Sequence, residues 1–236
     1  MNGNRFHDNF PATAFLLLLN LSFFVLELIE NVKVQGSLEL SGLLSVNPSV
    51  TALLGSLRPL EIQHGQYWRL ISATFLHAGI IHLLFNTMVL ADLGRTCEPL
   101  VSSWKFAVIY GASALGGSLA SFLTAPHPLR SSVGASGALC GLIGMLLVYS
   151  LRERHPEIRN SLLRWILWLA FIGFLVPHID HAAHIGGFLV GGAFGFTVRD
   201  YLHSSAAARW RYPGYAVTAV GVVCLGFALW NYFALR

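Results

Sequence analysis

Charged residues are scarce in this chain. Only 11% of its 236 residues are Asp, Glu, Lys or Arg and 55% are hydrophobic, whereas soluble domains carry about 25% charged residues. A soluble domain of this length could not cover its surface with so few charges, so the composition predicts a membrane protein. The net charge of +4 comes from basic residues scattered between apolar segments. They form no basic patch, which argues against a nucleic-acid partner.

Cysteine is scarce as well. Cys97, Cys140 and Cys224 show no CxxC spacing, and they lie in or beside apolar segments. The sequence therefore predicts neither a disulfide framework nor a zinc site.

A cluster of His and Asp residues keeps a metal hypothesis open. It comprises His178, Asp180, His181 and His184, and imidazole and carboxylate groups suit zinc or manganese. The chain has no His-Glu-x-x-His motif, however. The favoured interpretation of the first three residues is a solvated loop that leads into a helix. We expect no metal and no cofactor, and a metal-dependent protease or transporter is the weaker alternative.

Seven apolar segments run along the chain, and with their flanking residues they approach the roughly 20 residues of a membrane-spanning helix. We therefore predict an all-α polytopic membrane protein that forms a single transmembrane domain over residues 1–236. The first segment lacks the small-residue cleavage pattern of a secretory signal, which favours a retained anchor. The segments cover residues 13–28, 70–93, 106–124, 134–148, 163–176, 183–198 and 215–233.

Lys and Arg residues are distributed unequally between the two ends of these segments. The richer side is expected to face the cytoplasm, which predicts a cytoplasmic N-terminus and, after seven crossings, an outside C-terminus. The richer side carries Arg5, Arg95, Lys105, Arg152, Arg154, Arg159, Arg164, Arg199, Arg209 and Arg211, and the other side carries Lys33, Arg58, Arg69, Arg130 and Arg236.

Polar side chains interrupt the apolar segments, and this topology places them in the outer half of the membrane. His77, His82 and Asn86 lie in the second segment, Ser136 in the fourth and His184 in the sixth. Imidazole is costly inside a bilayer unless it has a function. A serine and a histidine at one depth therefore predict a hydrolase site.

Glycine spacing predicts that the fourth and sixth segments pack together. Gly137 and Gly141 in the fourth segment, and Gly187 and Gly191 in the sixth, recur every four residues. Such spacing lets the backbones of two membrane helices approach closely, and it would bring the serine and the histidine within reach of each other. The alternative is that the glycines serve helix packing alone.

These residues resemble the signature segments of the rhomboid intramembrane serine proteases. The resemblance covers about residues 60–198, and it implies a six-helix core that also includes a first helix at about 12–31. A seventh helix at about 213–235 would lie outside that core. The motifs are Gly134-Ala135-Ser136-Gly137, Ala183-His184 followed by Gly187 and Gly191, and the spaced His77, His82 and Asn86, flanked by Trp68-Arg69 and by Leu93-Gly94 with Glu98. The Gly-x-Ser-x-Gly motif of α/β-hydrolases fails because position 138 is alanine.

The resemblance implies an endopeptidase that cleaves transmembrane segments of other proteins within the lipid bilayer, without an acidic third residue. It implies that Ser136 is the nucleophile and His184 the general base. It also implies that His82 and Asn86 stabilise the oxyanion together with the backbone N–H of Ser136, while His77 occupies a less critical position.

Alternatives remain at each level. For the whole chain, the alternative is a non-catalytic rhomboid-like protein that binds membrane clients. For His82 and Asn86 it is simple hydrogen bonding between helices. For His77 it is an interfacial histidine bonded to a loop carbonyl, which is the favoured interpretation.

Cys140 is a departure from the resemblance, because rhomboids often carry an aromatic residue at this position, one turn after Ser136. We expect that Cys140 is not the nucleophile and that Cys140→Ala keeps substantial activity. The apolar residues 31–67 have no predicted conformation. A short N-terminal segment with no Arg-rich presequence favours a bacterial inner membrane.

Overall fold

The computed structural model describes residues 10–37, 39–175 and 179–198, together with six separate positions between 219 and 230. This part of the chain is helical, as the composition predicts, and it contains no strand. An isolated bridge between Leu57 and Ser132 is its one β-type contact. The predicted seventh segment falls almost entirely outside the described residues, although the six described positions are helical. The count of seven spans therefore stays a prediction.

The described residues between 10 and 198 contain ten α-helices, and the longer ones lie in the first six predicted apolar segments. In chain order they are α1 (Pro11–Gln35), α2 (Leu40–Leu44), α3 (Pro48–Leu54), α4 (Pro59–Gln63), α5 (Arg69–Ser72), α6 (Ile80–Val101), α7 (Ser103–Thr124), α8 (Ser136–Arg152), α9 (Pro156–Leu175) and α10 (His181–Gly195), with a 3-10 turn (Ala73–Phe75) after α5.

Several of these helices are suited to crossing a membrane. By length and apolarity α1 and α7 each suffice, and the bent pair of α5 and α6 supplies a third candidate span within the described residues. α8 is apolar but has only 17 residues. Large apolar side chains such as Leu18 and Leu123 point out of the bundle, with 61% and 77% of their surface exposed, as expected of residues that face lipid.

The predicted second segment, residues 70–93, is not one helix, and in this respect the prediction was wrong. It is divided into α5 and α6, which meet at an angle of 93°. The N–H of His77 donates to both carboxylate oxygens of Glu27 in α1, at 3.0 and 3.1 Å. A Cβ added to Gly79 would overlap the carbonyl group of Leu44. Contacts with distant parts of the chain therefore set the break.

Residues 31–67, for which the sequence predicted no conformation, contain the end of α1 and the short helices α2, α3 and α4. Polar side chains hold their backbone. Nδ2 of Asn31 donates to the Gly42 carbonyl at 3.2 Å, and its Oδ1 accepts from the N–H of Asn47 at 3.0 Å. Arg69 likewise donates to two carbonyl oxygens in and after α3. These bonds satisfy backbone groups that lipid cannot.

α8 lies at the centre of the bundle and packs closely against α10. Every residue from 137 to 146 is buried. The two helices touch backbone to backbone, as the glycine spacing predicts. A Cβ on Gly187 would overlap the carbonyl oxygen of Gly137, and a Cβ on Gly191 would overlap that of Gly141. The positions of the two helices relative to each other are therefore fixed closely.

Charged side chains cap helix ends on the side of the bundle opposite the start of α8. Glu98 accepts from the N–H groups of Ala12 and Thr13 at the start of α1, at 2.9 Å each. Arg152 donates to three carbonyl oxygens at the end of α10, and Lys105 donates to the carbonyl of Thr197 at 3.1 Å. These bonds supply partners to terminal groups that a helix leaves open.

Candidate active site

Ser136 and His184 meet where their two helices begin. Oγ of Ser136 lies 2.8 Å from Nε2 of His184, across 48 positions of sequence. Ser136 is the first residue of α8 and His184 lies in the first turn of α10. In the tautomer that carries its proton on Nδ1, the imidazole accepts a hydrogen bond from the serine hydroxyl. This is the arrangement in which a histidine can take the proton of an attacking serine.

A cavity of about 1410 Å³ opens beside this pair. Ser136, His184, His82 and Asn86 all line it, so the structure brings the four residues that the sequence singled out to one space. The cavity continues between α6 and α9 as far as Arg95 and Ser161, about two turns from the end of α6 and the start of α9. It therefore extends along the bundle instead of forming a small closed pocket.

His82 presents one edge of its ring to the loop before Ser136. Nδ1 of His82 accepts from the N–H of Ala78 at 3.3 Å, which leaves Nε2 to carry the ring proton. A Cβ added to Gly134 would lie 2.9 Å from that Nε2, and Gly134 adopts a φ of 125°. Glycine is therefore required there both for its backbone conformation and for the space that it leaves to the imidazole.

Asn86 is buried, and its side chain turns back along its own helix. Nδ2 donates to the carbonyl oxygen of His82, one turn earlier in α6, at 2.8 Å. The amide nitrogen carries a second hydrogen, and the side chain lines the cavity. Asn86 therefore supports α6 locally and also has a donor beyond that bond.

His77 is fully buried and does not line the cavity. Its Nδ1 lies 3.2 Å from the carbonyl oxygen of Phe75. The predicted bond to the backbone is present, but its acceptor belongs to the 3-10 turn and not to a loop, and the buried ring does not lie at an interface. The ring also stands 5.2 Å from that of His82, in an edge-to-face arrangement. Sequence analysis missed Glu27, which holds the backbone of His77.

Asp180 is not the solvated loop residue that the sequence predicted. Its side chain is only 11% exposed and forms the N-cap of α10, where Oδ1 accepts from the N–H of Ala183 at 3.1 Å. Its Oδ2 accepts from the hydroxyl of Ser121. The spacing of an Asp one residue before a helix is a recognisable cap signal, and it could have identified this residue.

The charge of Asp180 is stabilised by its partners. Burial raises the pKa of the carboxyl, but hydrogen bonds from Ser121, Ser132 and the N–H of Ala183, together with the charge of Arg130, outweigh it. The pKa therefore lies below its ordinary value, and the group is a carboxylate at neutral pH.

The described members of the predicted His and Asp cluster form no metal-binding group. The rings of His181 and His184 stand 6.4 Å apart and perpendicular to each other, and His178 lies outside the described residues. Within the ranges that the structure describes, no three His, Cys, Asp or Glu side chains converge.

Cys140 is buried in the core, one turn beyond Ser136. It is absent from the lining of the cavity. A thiol in that position faces packed side chains, and Ser136 is the hydroxyl that meets the imidazole.

Comparison with known proteins gives one consistent result. Residues 64–201, more than half of the chain, match the Rhomboid domain. The chain is 38% identical over 184 residues to Rhomboid protease GluP of Bacillus subtilis (strain 168), covering 76% of this chain and 33% of that protein. It is 38% identical over 160 residues to RHOMBOID-like protein 5 of Arabidopsis thaliana, covering 65% and 52%.

A relative of another kind is also similar. Inactive rhomboid protein 2 of Homo sapiens is 34% identical over 151 residues, covering 62% of this chain and 17% of that protein. The chain thus spans about a third to half of the first two relatives and less of the third. The match to the Rhomboid domain, together with the long apolar helices, leads to one conclusion: the chain is an integral membrane protein of the rhomboid family.

Proposed function

We propose that this protein is an intramembrane serine endopeptidase that cleaves transmembrane segments of other membrane proteins. The observation that carries the proposal is the 2.8 Å contact between Ser136 and His184 beside a cavity that runs along the bundle. A relative that covers 76% of the chain is named a rhomboid protease, which supports the same activity.

In the proposed reaction Oγ of Ser136 attacks the carbonyl carbon of the scissile peptide bond. His184 takes the hydroxyl proton through Nε2 and then delivers it to the departing amine, which leaves an acyl-enzyme. Water, deprotonated by the same imidazole, then attacks the ester, and the proton returns to Ser136. Both steps use one histidine as base and acid, so two residues suffice for the proton transfers.

Three donors are available for the negative charge that develops on the substrate oxygen. The backbone N–H of Ser136 lies in the first turn of α8, where helical N–H groups have no intrahelical acceptor and the helix dipole favours an anion. Nε2–H of His82 and the second amide hydrogen of Asn86 come from α6 on the other side of the cavity. Each such donor is typically worth about 3–4 kcal/mol in the transition state.

The cavity also suggests how the substrate reaches the serine. Its walls between α6 and α9 are largely apolar, with side chains such as Met88 and Leu169, so a transmembrane segment could enter from the bilayer. Water would enter at the polar end near Ser136. The charge distribution of the sequence would place that end outside and the N-terminus in the cytoplasm.

The second candidate is a rhomboid-like protein that binds membrane clients without cutting them, and it is favoured by similarity to a relative named inactive. The two functions differ in their need for a nucleophile. A binder would retain its clients when Ser136 is removed, whereas a protease would lose turnover.

The deciding experiment incubates the purified protein, in detergent and in liposomes, with a panel of transmembrane peptides and with a fluorophosphonate probe. We expect cleavage and labelling by the wild type and neither by Ser136→Ala. Ser150→Ala is the matched control. It removes a hydroxyl from the same helix that donates to the Leu147 carbonyl at 2.9 Å, and it should cleave and label like the wild type. Equal cleavage by Ser136→Ala and wild type would disprove the proposed serine protease activity.

A further inference from the structure

Asp180 links the start of α10, which carries His184, to the loop that precedes Ser136. Its main-chain carbonyl accepts from the N–H of His184 at 3.2 Å, and its side chain accepts from the N–H of Ala183 at 3.1 Å. The imidazole therefore sits one helical turn beyond a residue that accepts two of the first N–H groups of α10.

The carboxylate of Asp180 also reaches two other parts of the bundle. Oδ2 accepts from the hydroxyl of Ser121 in α7, and Oδ1 lies 3.6 Å from a guanidinium nitrogen of Arg130. Arg130 belongs to the loop that leads into α8, six positions before Ser136. One carboxylate thus contacts α7, the start of α10 and the segment that delivers the nucleophile.

The carboxylate contacts of Asp180 differ from those of the third residue of a catalytic triad. In a triad the carboxylate accepts from the imidazole itself. Here the carboxylate accepts from Ser121 and Ala183 and faces Arg130, so its hydrogen bonds hold the start of α10 and do not involve the imidazole.

We propose that Asp180 is a positioning residue that holds the first turn of α10, and with it the imidazole of His184, in register with Ser136. The effect on turnover rests on the proposed protease function. The effect on the position of α10 does not, and it can be measured separately.

A positioning residue acts by keeping the reacting groups, here the serine hydroxyl and the imidazole, in close alignment. The close contacts of α10 begin at Ala183, which packs on Gly137, and continue to Gly191. His184 therefore lies at the very start of this row of contacts, in the turn where a helix frays most readily. Loss of an N-cap loosens that turn. A small displacement of a catalytic group is enough to lower turnover strongly.

The experiment compares Asp180→Ala with Asp180→Asn, because the Asn side chain keeps an oxygen that can accept from the N–H of Ala183 but carries no charge. Its amide nitrogen would donate to the Ser121 hydroxyl instead of accepting from it. We expect kcat of Asp180→Ala to fall by about tenfold with KM changed less than about twofold. Asp180→Asn should stay within about threefold of the wild type, since Asn is an equally good cap. The control Glu157→Gln removes an acidic group from the first turn of α9, where the side chain is 67% exposed, and it should behave as the wild type.

Hydrogen exchange provides the readout that does not depend on activity. Amides at the start of α10 should exchange at least about tenfold faster in Asp180→Ala than in wild type, with no change at residues 191–195 and little change in Asp180→Asn. If the wild type shows no cleavage and this exchange pattern still appears, the protease function is rejected and the positioning role is supported. Unchanged exchange in Asp180→Ala, an effect on KM alone, or equal losses in the Ala and Asn variants would each overturn the positioning role.

Discussion

Two pairs of helices enclose the cavity, and they differ in how closely their backbones approach. α8 and α10 touch through glycines, with no room for a Cβ at Gly187 or Gly191. α6 and α9 have almost no backbone contact in the described part of the chain, and a hydrogen bond from Nε1 of Trp165 to Asp92, at 2.7 Å, spans the gap between them.

This difference corresponds to two separate demands of the proposed reaction. A serine and a histidine must be held at one distance, which requires helices that cannot slide. A substrate segment must enter, which requires helices that can separate. The close pair, α8 and α10, meets the first demand through backbone contact. The open pair, α6 and α9, meets the second demand, because only side chains cross the gap between these helices.

The strongest test of the close pair removes its chemistry. We expect Ser136→Ala and His184→Ala each to lose about 10³-fold or more in cleavage rate, equivalent to about 4 kcal/mol, while the protein stays folded. The double mutant should be little worse than either single mutant, because the two residues act as a unit. Single-turnover cleavage measures these rates. A double mutant whose loss equals the product of the two single losses would contradict a shared role.

The next test forces the close pair apart. Gly191→Ala should lower the free energy of unfolding by about 3 kcal/mol, because the methyl group would overlap the backbone of α8 and neither helix can yield without moving the other. Gly192→Ala is the matched control: its Cβ would meet Val148 at 3.7 Å, an ordinary contact, and stability should change by less than about 0.5 kcal/mol. Unfolding by denaturing detergent measures both, and equal losses would disprove the role of the contact.

A third test changes a residue of the open pair that faces the same reaction site. His82→Ala on α6 should lower kcat by about 10²-fold with little change in KM, because a donor to the oxyanion acts only as charge develops. Steady-state kinetics on one transmembrane peptide would separate the two constants. A mutant that bound substrate more weakly but turned it over normally would show that His82 positions the substrate instead.

The smallest expected effect concerns the open pair itself. Trp165→Phe removes the hydrogen bond to Asp92 and should raise the cleavage rate of a transmembrane peptide by up to about fivefold, since one hydrogen bond contributes about 1 kcal/mol. A short soluble peptide should be cleaved at an unchanged rate. Asp92→Ala and the double mutant should match the single mutant, and additive gains would show that the two side chains act independently.

The close pair was predictable from sequence and the bent segment was not. Glycines every four residues at Gly187 and Gly191 identify a packing face, because the spacing itself reflects the contact. The break near His77 has no comparable spacing signal, although His77 and Gly79 lie in it. It depends on Glu27 and Leu44, which are distant in sequence.

The polar residues that line the cavity could be predicted from the sequence, whereas the surroundings of Asp180 could not. Ser136, His184, His82 and Asn86 interrupt apolar segments, and the structure places all four on one cavity. Asp180 was assigned to a solvated loop because its partners, Ser121 and Arg130, come from other elements and only the fold reveals them. Its N-cap position was the one local signal.

The region that matches the Rhomboid domain is shorter than the part of the chain that holds the site together. The match to the Rhomboid domain begins at residue 64, whereas the carboxylate that receives the N–H of His77 belongs to Glu27 in α1. A fragment trimmed to the matched region would keep all four candidate residues and leave that N–H group without its acceptor in an apolar surrounding. The part of the chain that the site needs in order to form is therefore longer than the region that matches the Rhomboid domain.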